Sequence, residues 1–261
     1  MARLDSARDL AFSYVAELRE TAAVRQFFTE IVISRNGELM GAFKYDQEAQ
    51  ASLRKAARLK ATPPAALYRG LFVQANSIFE AYVRDLSSIV AENTASQVTK
   101  YSELPEDFRR QHIHLSSKVL QHMKTGTLVG QKFDFGRLTN TLGQCFSDSV
   151  PFSIMPEVFT LMMGNATPDR LESLFKKIGL PDPFNPGIGQ SGAIKKVFNE
   201  PRHASAAKLA KEKLHEVVGV RNTLVHGDLS AAVEQSDLEE AFDFLEAMIE
   251  ALDELARPFV K

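Results

Sequence analysis

Apolar residues recur every three or four positions along most of this 261-residue chain, whereas the strict alternation typical of strands is scarce. This spacing predicts amphipathic helices over about 4–33, 46–59, 65–92, 105–123, 138–146, 168–179, 204–225 and from about 236 onward. The predicted apolar face of the first helix consists of Leu10, Tyr14, Val15, Leu18, Val24 and Phe28. The pattern therefore predicts an all-α protein with a helical-bundle core.

Signals at the helix ends support several of these boundaries. Thr167 before Pro168 predicts an N-cap followed by proline at the first helical position, and Gly179 predicts the end of that helix. Ser236 and Glu239 have the spacing of a capping box, which predicts the start of the last helix.

Proline and glycine clusters indicate how the chain is organised. Helical spacing stops at Thr62-Pro63-Pro64, because prolines cannot continue a helix. We therefore predict an N-terminal helical extension over residues 1–62 and a helical domain over 63–261. An inserted helical and irregular segment is expected at about 100–200, and residues 181–192 have the composition of a loop.

Composition excludes several classes of protein. With 44% hydrophobic and 25% charged residues the chain can fold around a sizeable core. A net charge of −2 indicates no global affinity for nucleic acid, so such a partner would need a local basic patch. A single cysteine, no signal peptide and no apolar run of membrane-spanning length predict a soluble, cytoplasmic protein without membrane contact.

Charge is distributed unevenly near the C-terminus. Residues 195–213 contain six bases and two acids, whereas residues 234–256 contain nine acids and no base. Such runs are usually solvated helix faces. The basic run nevertheless leads directly to the most polar motif of the chain, so it is also the place to which a polyanion would be attracted.

That motif, GVRNTLVHGDL (219–229), places Arg221, Asn222 and His226 at the predicted end of a helix, with Gly227 in the position of a left-handed cap. The helix dipole favours a charged imidazole at His226 while Arg221 opposes it, so the residue is expected to exchange a proton near neutral pH. The alternative is structural: His226 caps carbonyl groups and Arg221 pairs with an acid of the next helix.

Three segments, in order, resemble the HEPN superfamily, in particular its RiboL-PSP-type domains. Arg-Asn-Thr-Leu-Val-His resembles the superfamily's motif of an arginine, a polar residue and, after a short interval, a histidine. LFVQANSIFEAYVRDL (71–86) resembles the first core helix, and NATPDRLESLFKKIGL (165–180) resembles a helix that begins at Asn/Thr-Pro. The resemblance covers about 65–256 and leaves the first 60 residues without a role.

The resemblance implies a helical bundle that forms homodimers and a metal-independent endoribonuclease, often part of toxin or phage-defence systems with an antitoxin or other partner protein. By position, Arg221 and His226 match the catalytic pair, Asn222 the polar residue, and Glu80 a variable acidic position. For Glu80 an ion pair with Arg84 is an equal alternative. No cofactor or metal is expected. The rival hypothesis is a non-catalytic HEPN-like dimer that binds protein or RNA.

RNA supplies its own nucleophile, the 2′-hydroxyl, so cleavage needs a base near neutral pH and a cation for the charge that develops on phosphate. His226 and the forked guanidinium of Arg221 suit these roles. Arg202, Lys208 and Lys211 of the basic run are the expected RNA-binding residues.

Other candidates are weaker. His112, His114 and His122 have the wrong spacing for one metal site and are expected to be surface or core residues. The glycine-rich stretch 187–192 follows no strand, and Cys145 has no partner for nucleophilic chemistry.

Overall fold

A computed structural model describes residues 1–27, 35–59, 65–125, 134–160, 164–227 and 232–260. Within these ranges every regular element is an α-helix or a short 3-10 helix, which confirms the predicted all-α class. The α-helices are α1 (Ala2–Phe27), α2 (Asn36–Ala42), α3 (Gln47–Leu59), α4 (Ala65–Ser96), α5 (Glu106–Thr125), α6 (Phe135–Phe146), α7 (Pro168–Ile178), α8 (Gly192–Phe198), α9 (His203–Val225) and α10 (Gln235–Ala256).

Some predictions concern parts of the chain outside these ranges. They are the boundary at 62–64 and the end of the first helix at 28–33. In the part that the structure describes, no helix is long and apolar enough to cross a membrane.

Three local features differ from the sequence-based expectation. Helix α2, between the first predicted helix and the one predicted from 46, was not predicted. Helix α8 was not predicted; it begins directly after the predicted loop because the Ser191 hydroxyl accepts a hydrogen bond from the N–H of Ala193. Helix α10 begins at Gln235, where the Asp237 carboxylate accepts from the N–H of Glu234 at 2.9 Å. The prediction that this helix is capped from residue 236 was therefore wrong by two positions.

Helix α4 is the centre of the bundle. It packs against α1, α7, α9 and α10, and it buries side chains around most of its circumference. Phe79 and Tyr82 are among its fully buried residues, and Phe175 of α7 and Phe242 of α10 belong to the same core. Because α4 contacts α7, α9 and α10, the segments that resemble the family are brought together around it.

The apolar face of α1 was partly mispredicted. Val15 and Leu18 are buried as expected, but Leu10, Tyr14 and Val24 are exposed. The buried stripe consists of Leu4, Ala11, Val15, Leu18 and Ala22. These residues are three, four or seven positions apart, and two of them are alanines, so α1 packs closely against α4 and α10.

Part of the acidic run of α10 is covered by α1. Arg19 of α1 reaches three carboxylates of α10, with distances of 2.7 Å to Glu239, 2.7 Å to Asp243 and 2.8 Å to Glu246. Further along the pair of helices, Arg8 lies 3.5 Å from the buried carboxylate of Asp253. The acidic run is therefore compensated within the chain to a greater degree than the sequence indicates.

Candidate active site at the end of α9

The Arg-Asn-Thr-Leu-Val-His-Gly motif forms the last turns of α9, which ends at Val225. The N–H of His226 donates to the carbonyl oxygen of Asn222 at 3.0 Å. Gly227 follows with a φ of +93°, the left-handed conformation predicted for a helix cap. The chain turns away directly after His226, and this residue is consequently exposed.

Arg221 and His226 do not share a helix face, because five residues on an α-helix are separated by about 140°. Asn222 and His226, four residues apart, do share one. The Nη1 of Arg221 donates to Oδ1 of Asn222 at 3.3 Å. This contact directs the guanidinium of Arg221 toward the face on which Asn222 and His226 lie.

The guanidinium of Arg221 has N–H groups that donate no hydrogen bond within the described residues. It is half-buried, and its Nε is buried without a hydrogen-bond partner among the residues that the structure describes. A guanidinium has five N–H donors, and a buried donor without a partner is unfavourable. The Nη groups have further N–H donors that an anion could use, so the arrangement suits a phosphate group.

Asn165 holds Asn222 from the other side. Its Nδ2 donates to Oδ1 of Asn222, so this oxygen accepts from Asn165 and Arg221 together. Asn165 lies just ahead of α7, which begins with Thr167 as its N-cap and Pro168 as its first residue, as predicted. Two segments that resemble the family thus meet through one amide pair, 57 positions apart in sequence.

Sequence reasoning did not single out Asn165 as a site residue. Its local support is visible in the structure: Nη1 of Arg170 donates to the carbonyl oxygen of Asn165 at 3.3 Å, and Gly164 before it has a φ of +59°. An added Cβ on Gly164 would lie 2.4 Å from Nη1 of Arg170. The one available signal was the position of Asn165 directly before the Ala-Thr-Pro that opens the helix.

Glu80 is not joined to this group. It lies on α4, only 7% exposed, and its Oε2 is 3.7 Å from Nη2 of Arg84, the ion pair considered as its alternative role. Within the described ranges no hydrogen bond or ion pair links Glu80 to Arg221. A catalytic role for Glu80 stays a prediction.

The three bases expected to bind RNA are each engaged with an acid of the same chain. Glu200 accepts two hydrogen bonds from the guanidinium of Arg202, which lower the pKa of Glu200 to about 2. Lys208 lies 3.8 Å from Glu212. The carboxylate of Glu172 accepts a hydrogen bond from Lys211 and raises the pKa of that lysine.

Lys208 and Lys211 also line an open pocket of about 530 Å³ between α7 and α9. Its other lining residues are Pro168, Asp169, Glu212 and His215. With two lysines and two acids, the pocket has little net charge. An RNA phosphate there would have to displace carboxylates that are already in place.

The remaining candidates behave as structural residues. His112 is fully buried and bonded to the Tyr101 hydroxyl at 3.0 Å, and burial lowers its pKa to about 4. Burial likewise raises the pKa of Cys145 to about 11. Gly189 lies against α9, where an added Cβ would come 2.0 Å from the carbonyl oxygen of His203, so close packing explains this glycine. In the described part of the chain no group of three or more His, Cys, Asp or Glu side chains has a metal-binding arrangement.

Fold and site together define an all-α domain with an Arg-Asn-x3-His motif at the end of a core helix. A family model described as RiboL-PSP-HEPN matches residues 43–257. The chain belongs to this family, which confirms the resemblance found in the sequence. The match begins at residue 43, so it includes α3 but not α1. Searches of curated proteins and of solved structures gave no significant match.

Proposed function

We propose that this chain is a metal-independent endoribonuclease of the HEPN type that acts on single-stranded or loop RNA. The observation that carries the proposal is the linked set Asn165–Asn222–Arg221 beside the exposed His226. It combines an accessible imidazole with a guanidinium whose donors are only partly used, which are the two groups that RNA cleavage by its own 2′-hydroxyl requires.

In the proposed reaction His226 removes the proton of the 2′-hydroxyl, and the 2′-oxygen attacks the adjacent phosphorus. Arg221 donates to the non-bridging phosphate oxygens as negative charge develops there. The bond between phosphorus and the 5′-oxygen breaks, and that oxygen takes up a proton from water. The products are a 2′,3′-cyclic phosphate and a 5′-hydroxyl.

We also propose that the active form is a homodimer in which the motifs of two chains face each other. One Arg-His pair is a sparse site, and a second copy doubles the donors available to one phosphate. Val225, 48% exposed in the motif itself, offers apolar surface for such a contact. The resemblance suggests a toxin or phage-defence effector, held in check by an antitoxin or another partner protein.

The rival function, a non-catalytic dimer that binds a protein or RNA, would be favoured by an acidic last helix that is free to contact a basic partner. Three carboxylates of that helix pair with Arg19, which leaves it less free charge for a basic partner. This observation favours the enzyme.

The test compares cleavage of bulk tRNA or rRNA by the wild-type chain, by His226→Ala and by His215→Ala. His215 is a matched control, since it is an exposed histidine on the same helix. We expect His226→Ala alone to abolish cleavage while changing the free energy of unfolding by about 1 kcal/mol or less, because His226 is exposed.

Mass spectrometry of the products tests the chemistry. Cleavage should persist in EDTA, spare DNA and 2′-O-methylated RNA, and leave 5′-hydroxyl ends. Products with 5′-phosphates, or activity that EDTA removes and Mg²⁺ restores, would refute the mechanism. Equal cleavage by His226→Ala and the wild type would refute the role of His226, and no cleavage by the wild type would leave the non-catalytic function.

A further inference from the structure

We infer that the hairpin formed by α2 and α3 is a binding platform for single-stranded RNA. This inference rests on the proposed function in one respect: the RNA that the hairpin binds would be the substrate of the proposed endoribonuclease. The hairpin comprises residues 36–59, a region to which neither the motif analysis nor the mechanism gives a role.

The hairpin is held together by its own hydrogen bonds. Nε2 of Gln50 in α3 donates to the carbonyl oxygens of Met40 at 2.7 Å and Phe43 at 3.4 Å. Oδ1 of Asp46 accepts from the N–H of Ala49 at 2.9 Å and caps α3. These bonds define the shape of the turn between the two helices, residues 43–45.

This turn presents aromatic rings to solvent. Tyr45 is 92% exposed and Phe43 is 46% exposed. Nζ of Lys44 lies 5.6 Å from the centroid of the Tyr45 ring. Exposed rings next to a cation are what proteins that bind single strands use, because every base has a face that can stack and every nucleotide has a phosphate.

The adjoining helix adds positive charge without internal compensation. Arg54 and Lys55 of α3 are exposed, and neither has an ion pair among the described residues. The stretch 53–60 contains four bases and no acid, a denser run than the basic run at 195–213. Unlike Arg202, Lys208 and Lys211, which are paired with carboxylates, Arg54 and Lys55 are available to phosphates.

The hairpin is connected to the end of the bundle that carries the motif. Gln235, the first residue of α10, donates from Nε2 to Oε1 of Gln26 in the last turn of α1 at 2.9 Å. Its Oε1 accepts a hydrogen bond from the Tyr68 hydroxyl, in the first turn of α4, at 3.4 Å. The chain therefore leaves α1 and enters α4 close to the residues that follow the motif.

The length of the connection limits how far the hairpin can lie from that end. Leu59, the last residue of α3, precedes Ala65, the first of α4, by six positions. Six residues of chain span at most about 20 Å. The end of α3 therefore lies within about 20 Å of the start of α4.

The experiment measures binding of a fluorescein-labelled, unstructured 12-nucleotide RNA by fluorescence anisotropy. The full chain with His226→Ala is the parent, so that the probe is not cleaved. Tyr45→Ala tests stacking, and Arg54→Gln/Lys55→Gln tests charge. The control, Lys100→Gln/Lys118→Gln, removes the same charge elsewhere. Both lysines are exposed; Lys118 lies on α5 and Lys100 lies six residues before it. Circular dichroism checks that each variant is folded.

We expect Tyr45→Ala to weaken RNA binding about tenfold through loss of one stacked base. Arg54→Gln/Lys55→Gln should weaken it as well, and should reduce the slope of log Kd against log salt concentration by about 1.4, from two lost phosphate contacts. The control should bind like the parent.

Affinity of Tyr45→Ala equal to that of the parent, or an equal loss in the lysine control, would overturn the inference and leave the hairpin as a surface for a protein partner.

The two proposals can fail separately. A wild-type chain that binds RNA through the hairpin but never cleaves it refutes the proposed function alone. A chain that cleaves while both hairpin variants bind normally refutes the platform alone.

Discussion

The amide pair between Asn165 and Asn222 gives the sharpest test of how the candidate site is assembled. Asn165→Ala removes one of the two donors to Oδ1 of Asn222 and leaves Arg221 as the other. A neutral hydrogen bond contributes about 1 kcal/mol net. For a chain of this size, that loss corresponds to a fall in Tm of about 2–4 °C.

A double-mutant cycle isolates the pair. Urea unfolding of Asn165→Ala, Asn222→Ala and the double variant should give a coupling energy of about 1 kcal/mol. A second cycle, in which Thr223→Ala takes the place of Asn222→Ala, provides the control. Thr223 is exposed and its hydroxyl bonds within α9, so its coupling to Asn165 should be near zero.

Activity distinguishes a positioning residue from a purely structural one. At a temperature well below the Tm, Asn165→Ala should lower kcat/KM about tenfold, equivalent to about 1.4 kcal/mol. In an Asn222→Ala background the same change should have little further effect, because Asn165 acts through Asn222. A full additional tenfold loss in that background, or a coupling energy no larger than that of the Thr223 control, would refute this account.

Three further predictions concern other groups. Arg221→Lys should lower kcat/KM about 100-fold in the RNA cleavage assay with an unchanged Tm, because lysine keeps the charge but loses the forked donors; near-normal activity would contradict that role. Arg19→Met should reduce the free energy of unfolding by about 1 kcal/mol at low salt and by less in 1 M NaCl, since it breaks three partly exposed ion pairs that salt screens; the fully exposed pair of Arg110, removed by Arg110→Met, should show a smaller effect. His112 is buried with its pKa lowered to about 4 from an ordinary 6.5, so the unfolded chain binds its proton first as the pH falls. Its contribution to stability is therefore present above pH 6.5 and is lost between pH 6.5 and 4, at about 1 kcal/mol per pH unit. Urea titrations of wild type and His112→Gln across this range should show a smaller loss in the variant, and parallel curves would count against the explanation.

Much of the local structure could be predicted because it depends on residues within one or two turns of each other. The periodicity of apolar positions located most of the helices, and Gly179 and Gly227 adopt the left-handed caps expected of them. The same local reasoning failed where two signals compete within a few residues. At the start of α10, both Asp237 and Glu239 could cap the helix, and only the geometry shows that Asp237 does.

The site was predicted in part for the same reason. Arg221, Asn222 and His226 lie within six residues, so their pattern is readable in one stretch of sequence. Asn165 joins them only because α7 packs beside α9, a contact between residues far apart in the chain. Glu80, matched by position alone, forms an ion pair with Arg84, and its catalytic role stays a prediction.

The sequence by itself determined the helical class, the family and the motif, since each depends on residue types at short, regular spacings. Only the tertiary structure decided which face of α1 is buried, which bases are paired with acids, and which amide orients Arg221. These outcomes depend on how helices pack, and packing sums many weak contacts between distant residues. Leu10 and Ala11 illustrate the point: the larger apolar side chain is exposed and the smaller one is buried, because the face of α1 that carries Ala11 is the one packed against α4 and α10.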